Sequence, residues 1–443
     1  MTIKQFEYKP LAHYSYAIIS DGKMAVVDPE RDPSQYYAFA KANNAEIVAV
    51  IETHPHADFV SSHLEIHKTT GATIYNSEEL GADYPHKSFD SGDHIELGQI
   101  TLKAINTPGH SPDSITIVAT QGDETAMFTG DTLFIGDVGR PDLREKAGNM
   151  QAKREELAEM MYETITTKFT DLPDDALVYP AHGAGSLCGK NLSDANSSTL
   201  GNERMGNWAF KKQTKEEFMD VLLDGQPFIP SYFGFDVDLN KTGADNLESS
   251  INGVPLSEGT TATGIIVDTR DEESFKNGHL EGSFNIQAVS DNAKFETWLG
   301  SIIKPEEKFT MVLDHKDSEK KLLNRIAKIG YEKIILKTIT LPKDFLAITE
   351  KLDVQDFEKN PDNYTIVDIR NTSEIEEGKI FESALPHPLN ELRDTASEIP
   401  TDKPIVVHCA GGYRSAAGSS ILQSILEDVT IYDLSDDVKK FQD

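Results

Sequence analysis

The segment Ile265-Ile266-Val267-Asp268-Thr269-Arg270 returns 100 residues later as Tyr364-Thr365-Ile366-Val367-Asp368-Ile369-Arg370. A recurrence at fixed spacing constrains a fold strongly, because it marks one supersecondary unit present twice. Both copies continue into acidic residues and a glycine, Gly278 or Gly378. Both then reach a second apolar run, residues 308–313 and 403–408. Two tandem copies of one α/β module account for the match better than a chance recurrence of strand and charge. Upstream, from about 195 to 261, Ser, Asn, Gly and Pro become frequent, with Gly225, Pro227, Pro230 and Gly234 close together. That texture reads as the tail of a first domain followed by a linker near 240–260. The expected domains are 1–245, 246–345 and 346–443, in keeping with the prior of roughly 150 residues per domain.

The first 190 residues alternate short apolar runs with turn-forming residues. Runs at 16–19, 25–28, 46–51, 99–105, 115–119 and 176–179 are short and rich in Val, Ile and Tyr, which predicts strands. Residues 33–43 and 153–169 read as helices; the second carries Leu157, Met160, Met161 and Ile165 at helical spacing. The class is α/β, with the chemically interesting residues where strands end.

Composition excludes several functions. Lys plus Arg number 42 against 74 Asp plus Glu, a net charge of −32. A nucleic-acid binder needs a basic footprint, and an anionic membrane surface would repel this chain. No stretch approaches the roughly 20 apolar residues of a membrane span. Residues 1–20 lack the basic, apolar and small-residue regions of a secretory signal. The two cysteines, Cys188 and Cys409, exclude a disulfide framework, and a cytoplasmic location is expected.

His54, His56 and Asp58 stand at alternate positions just past the run at 46–51. His110, Asp131 and His182 each follow another such run, in Thr-Pro-Gly-His, Thr-Gly-Asp and Tyr-Pro-Ala-His segments. Four His and two Asp gathered at strand ends point to a metal site rather than to scattered polar residues. In this order the motifs resemble the metallo-β-lactamase superfamily over roughly residues 1–240. The resemblance implies an αββα sandwich with a metal site between its sheets, though a fold does not choose a reaction. The family's motif usually continues with a second-metal His after Asp58, whereas this chain has Phe59. Phe cannot ligate, which disfavours a two-zinc hydrolase. The persulfide dioxygenase branch of the superfamily uses one ferrous iron held by two His and one Asp. Carried over, its ligands are His54, His110 and Asp131, with one Fe(II) per chain and open positions for O2 and substrate. His56, Asp58 and His182 are then expected to orient ligands or face substrate. No Cys is counted among these ligands. Gly139-Arg140-Pro141-Asp142 and residues 183–190 also resemble this branch. Arg140 is read either as an ion-pair partner of Asp142 or Asp131 or as a substrate-facing group. Cys188 is read as structural in preference to sulfur-handling.

Cys409 ends the run at 403–408, and Ala410-Gly411-Gly412-Tyr413-Arg414-Ser415 opens an apparent helix. Backbone N–H groups in such a turn are expected to converge on the sulfur, and the helix dipole favours a thiolate. Gly411 and Gly412 are expected to permit the tight loop, with Arg414 adding positive charge. Four residues separate Cys409 from Arg414, one fewer than a phosphatase loop needs. With the upstream Val-Asp-x-Arg segment, this resembles the rhodanese (sulfurtransferase) family over about 350–443. The resemblance implies that Cys409 carries a persulfide sulfur. In the first copy Asp314 stands in place of Cys409 and Glu319 in place of Arg414, so that module is expected to be inactive.

Together the resemblances imply oxidation of a low-molecular-weight thiol persulfide by O2 to sulfite, with Cys409 passing sulfane sulfur to sulfite to form thiosulfate. The thiol stays open among glutathione, coenzyme A, bacillithiol and cysteine, and a homo-oligomer is expected. The alternatives are a glyoxalase II-like thioester hydrolase with an accessory rhodanese tail and a non-enzymatic sulfur carrier or sensor.

Overall fold

The computed structural model describes residues 1–144, 153–342 and 346–442. The chain divides into two compact units, Met1–Ser250 with Ile326–Gly330, and Ile251–Arg325 with Tyr331–Asp443. The module boundary expected at 345–346 falls beside residues outside the described set.

The first unit holds two six-stranded sheets. One runs Thr2–Tyr8, His13–Ser20, Lys23–Val27, Glu46–Ile51, Thr73–Asn76, Lys87–Ser88 in spatial order. The other runs Ser198–Thr199, Leu177–Pro180, Glu124–Gly130, Ile115–Gln121, Ile100–Asn106, His94–Leu97. Alternation along the strands explains the layering. In Ile115–Gln121, Ile115, Ile117 and Ala119 join a core with Tyr16, Ile18, Val27 and Ile51 of the other sheet. Val118, from the opposite face, packs with Leu157-adjacent Ala158 and Met161 of helix Arg154–Glu163. Each of the Ile, Val and Met side chains here, fully buried, contributes about 1.5–3 kcal/mol of transfer free energy. The layering is the αββα sandwich expected of the first domain.

Two local departures have physical causes. The helix expected over 153–169 is α-helical only for Arg154–Glu163 and continues as a π-helical turn, Thr164–Lys168. There the Thr166 and Thr167 hydroxyls donate to the Tyr162 and Glu163 carbonyls at 2.7 and 2.6 Å, competing with the backbone N–H groups. The stretch read as a linker is also structured. It carries helix Leu247–Ile251 and strand Leu256–Glu258.

The second unit contains two all-parallel sheets. The first orders its strands Leu256–Glu258, Ile335–Thr340, Phe309–Leu313, Ile265–Asp268, Ser283–Asn285. The second orders them Leu385–Pro386, Thr365–Asp368, Ile405–His408, Ile431–Asp433. Central parallel strands are covered on both faces, and every residue of Phe309–Leu313 and Ile405–His408 is buried. Among the described residues no helix is long and apolar enough to cross a membrane.

Candidate metal centre and cysteine loop

Four of the strands in the first unit end at one place. His54 follows Glu46–Ile51, His110 follows Ile100–Asn106, Asp131 follows Glu124–Gly130 and His182 follows Leu177–Pro180. All four are buried. Asp131 Oδ2 lies 3.7 Å from His54 Nε2 and 3.6 Å from His110 Nε2. The three ligand atoms fall within 4.8 Å of one another and could hold a metal ion. Burial lowers the pKa of both His54 and His110, which keeps their lone pairs free. Burial alone would raise Asp131, but the charge and hydrogen bond of His182 hold its carboxyl well below the usual range. His54 Nε2 and Asp131 Oδ2 are buried without a hydrogen-bond partner, as metal-facing atoms would be.

The atoms behind these side chains fix their orientation. Thr53 Oγ1 lies 3.1 Å from His54 Nδ1, and Thr53 donates to Asp28 through its N and Oγ1 at 2.7 and 2.8 Å. The Arg140 carbonyl lies 2.9 Å from His110 Nδ1. Gly139 is obligatory there, because a Cβ would strike the Asp131 carbonyl oxygen and lie 2.9 Å from His110 Nδ1. His56 does not join the His54–His110–Asp131 set; its Nε2 lies 3.4 Å from Asp28 Oδ1. Phe59 is buried, its ring centroid 3.8 Å from that of His13 and 4.4 Å from that of His56.

His182 links two carboxylates. Its Nδ1 is 2.7 Å from Asp131 Oδ1 and its Nε2 2.8 Å from Asp58 Oδ2. Burial would lower its pKa, but Asp131 and Asp58 raise it well above the ordinary value. The ion pair of Arg140 is with Asp142, through two bonds of 2.7 Å. Arg140 also donates from its backbone N to the Cys188 carbonyl at 3.0 Å and from Nη1 to the Leu187 carbonyl at 3.1 Å. It therefore ties the loop at 183–190 to the His110 side of the site. Cys188 is 1% exposed, and its sulfur, Asp58 and His182 form a second group whose ligand atoms lie within 4.8 Å of one another. Burial, then Asp58 and Asp131, push its thiol pKa well up.

Asp28, Glu52 and His13 were not singled out from the sequence. Asp28 ends strand Lys23–Val27 just as Asp131 ends its own, so the same strand-end placement marks it. Glu52 ends strand Glu46–Ile51 in the same way, whereas His13 opens strand His13–Ser20 and carries no such signal.

In the second unit, Cys409 is buried between strand Ile405–His408 and helix Tyr413–Ile425. Gly412 N donates to its sulfur at 3.1 Å. Gly412 has φ +92°, and a Cβ there would lie 2.7 Å from Asp436 N, so glycine is required. Gly411 meets neither condition: its φ is not positive and a Cβ would find open space. Arg414 forms a two-pronged ion pair with Glu374 at 2.6 and 2.7 Å, and its guanidinium lies 5.9 Å from the Trp298 ring centroid. Its charge is thus largely matched, and Glu374 fixes its direction. Ser415 Oγ donates to the Gly412 carbonyl at 2.7 Å, Gln442 Nε2 to that of Ala410 at 2.6 Å, and Tyr413 OH to that of Gln287 at 3.1 Å. Asp314, the counterpart of Cys409, is exposed and lies 2.9 Å from His315 Nδ1. Glu319, the counterpart of Arg414, starts helix Glu319–Ala327 and bonds to Thr338 Oγ1.

Residues 8–182 match the family model of the metallo-β-lactamase superfamily, and 255–337 and 353–443 match that of the rhodanese-like domain. A metallo-β-lactamase of Staphylococcus aureus is 33% identical, with a TM-score of 0.70 over 77% of this chain and 99% of that one. A cytoplasmic hydroxyacylglutathione hydrolase of Arabidopsis thaliana is 32% identical over 38% of this chain and 63% of its own length. The mitochondrial persulfide dioxygenase ETHE1 of Bos taurus is 27% identical over 35% of this chain and 58% of its own. The chain thus spans about three fifths of the length of these two relatives.

Proposed function

We propose, for a chain that belongs to the metallo-β-lactamase superfamily and carries two rhodanese-like domains behind that fold, a two-step handling of persulfide sulfur. A low-molecular-weight thiol persulfide, O2 and water give sulfite and the free thiol in the first unit. Cys409 then accepts sulfane sulfur from a second persulfide and yields it to sulfite as thiosulfate. The observation that carries the first step is the His54–His110–Asp131 set, in which His54 Nε2 and Asp131 Oδ2 are buried without a hydrogen-bond partner. Two imidazoles and one carboxylate suit a single Fe(II) with open positions. When bound, the iron supplies redox chemistry toward O2 and a site for the persulfide sulfur. Thr53 and the Arg140 carbonyl orient the two imidazoles, and Asp131 is held ionised by its histidine neighbours. Phe59 fills the place where dinuclear relatives carry a further ligand.

In the second step, the Cys409 thiolate attacks the sulfane sulfur of RS–SH, the RS–S bond breaks and the free thiol departs. Sulfite then attacks the outer sulfur, the Cys409 S–S bond breaks and thiosulfate leaves. Gly412 N–H and the Glu374-anchored Arg414 face the sulfur and the incoming anion. The two cysteines are free and buried, which suits a reducing, cytoplasmic setting.

The test is O2 uptake by iron-loaded protein with glutathione, coenzyme A, bacillithiol and cysteine persulfides, with sulfite and thiosulfate quantified. The likeness to a hydroxyacylglutathione hydrolase supports a second reading, thioester hydrolysis. Zinc-loaded protein that cleaves a glutathione thioester, with no O2 uptake when loaded with iron, would replace the first reading by the second.

A further inference from the structure

We infer that Lys328 is a positioning residue of the metal centre, one that fixes the loop carrying His56, Asp58 and Phe59. Lys328 lies within 255–337, a stretch that matches the rhodanese-like family model, yet Ile326–Gly330 belongs to the first unit. The inference rests on the metal-site reading alone and holds whichever reaction follows.

It starts from the backbone of the loop. Buried N–H and C=O groups need partners, and a loop has no ladder to supply them. Helix Phe233–Thr242 and the residue before it meet much of that need. Asn240 Nδ2 donates to the His56 and Phe59 carbonyls at 2.8 and 2.7 Å, and its Oδ1 accepts from Ser61 N at 2.7 Å. Tyr232 OH donates to the Asp58 carbonyl at 3.3 Å. Val60 N turns elsewhere and donates to the Lys328 carbonyl at 2.7 Å. The loop in turn touches the groups around the ligands. Asp58 Oδ2 lies 2.8 Å from His182 Nε2, and His182 Nδ1 lies 2.7 Å from Asp131 Oδ1. The Phe59 ring packs on that of His56, whose centroid is 4.0 Å from that of His54. A shift at Val60 is therefore felt at both Asp131 and His54.

A carbonyl can hold a loop only if it is itself held, and the Lys328 side chain does this. Its ammonium is buried, pairs with Glu30 and lies 4.4 Å from the centroid of the Tyr8 ring. Glu30 is fixed in turn: its N donates to Tyr36 OH at 2.9 Å, and its Oε1 accepts from Gln35 Nε2 at 2.7 Å. Breaking a buried ion pair leaves a charge without compensation, so a slip of the segment is strongly opposed. Gly330 lets the segment lie close to the helix that carries Asn240. Its φ is +67°, and a Cβ there would come 2.7 Å from Leu239 Cδ2 and 2.8 Å from Phe235 Cε1. Asn240 and Lys328 thus brace the loop from two segments that pack on each other.

The experiment uses full-length, metal-free protein and Co(II), read by the visible d–d spectrum and by competition with a chelator. Unmutated protein is the reference. If it takes up no Co(II), the metal assignment fails and this inference with it. Lys328→Met keeps the aliphatic stem and removes the charge. It is expected to alter the d–d spectrum and to weaken binding about tenfold or more. Glu30→Gln combined with Lys328→Met removes both charges, so no buried carboxylate is left unpaired. This double variant decides the question where Lys328→Met alone loses its fold. It is expected to show the same altered spectrum and weaker binding, because the carbonyl at 328 has lost its anchor. The spectrum and affinity of the unmutated protein, found in the double variant, would overturn the inference, since Lys328 would then serve only to neutralise Glu30.

Discussion

The two rhodanese-like modules share a clamp and differ in a loop. In the first, Arg270 folds back on Asp268 and donates to the Gly278 carbonyl at 2.7 Å. In the second, Arg370 folds back on Asp368 and donates to the Gly378 carbonyl at 2.9 Å. Both carboxylates are buried, so each needs its arginine. Past the next strand the likeness ends. The second module encloses Cys409 in a loop with Gly412 in the left-handed region, and the first exposes Asp314 beside His315. Fold and chemistry therefore reside in separate residues: the Asp-x-Arg clamp maintains the sheet in both copies, and the loop that could hold a sulfur exists in one.

The largest effect expected is that of Cys409→Ser. A hydroxyl is too weak a nucleophile at neutral pH to take up sulfane sulfur, so transfer should vanish. O2 uptake should continue in the iron-loaded variant, with sulfite replacing thiosulfate. Thiosulfate formed enzymatically at the unmutated rate would dissolve the distinction between the modules. Next come His110→Ala and Asp131→Ala, which should lose iron and lower O2 uptake by about 100-fold or more. Sulfur transfer by Cys409 should persist, because its loop draws on none of these residues. An iron-replete, O2-consuming His110→Ala protein would sink the ligand assignment.

A smaller effect tests the clamp itself. Arg270→Ala and Arg370→Ala each leave a buried carboxylate without its partner, at a cost of about 3–5 kcal/mol. Both should lower the thermal midpoint of the unit that contains them, and by similar amounts. Only the second should also depress sulfur transfer, as a consequence of the loosened module. If Arg270→Ala leaves the midpoint unchanged, the clamp is vestigial in the first copy and the repeat is less than structural.

Much of this was legible in the sequence because it is local. Strands betray themselves by apolar runs, and a His or Asp just past a run lies at a strand end, which marks His54, His110 and Asp131. The repeat was legible for the same reason, since Asp and Arg two residues apart close a clamp within one turn. What stayed hidden depends on distant backbone. Cys188 comes beside Asp58 and His182 in a loop that Arg140, 48 residues earlier, holds by donating to the Cys188 carbonyl. No period or spacing signals that bond. Sequence leaves Asp131 and Asp142 as partners of Arg140, and the structure pairs it with Asp142. Gly411 and Gly412 look alike in sequence, yet only Gly412 has a backbone and a neighbour that demand glycine.

The smallest effect expected is the most direct probe of the comparison. Asp314 follows strand Phe309–Leu313 as Cys409 follows Ile405–His408. Asp314→Cys, made in the Cys409→Ser background, therefore restores a thiol at the matching place in the repeat. It should restore no sulfur transfer. Asp314 is exposed, no glycine in the left-handed region follows it, and the position of Arg414 is taken by Glu319, bonded to Thr338. A thiol there has neither a converging N–H nor a nearby guanidinium to favour the thiolate, and Glu319 adds charge of the wrong sign. Stability should change little, as for most exposed substitutions. Measured thiosulfate formation above the Cys409→Ser background would mean that the strand end alone suffices for chemistry. The enclosing loop would then be a refinement of the second module rather than its requirement.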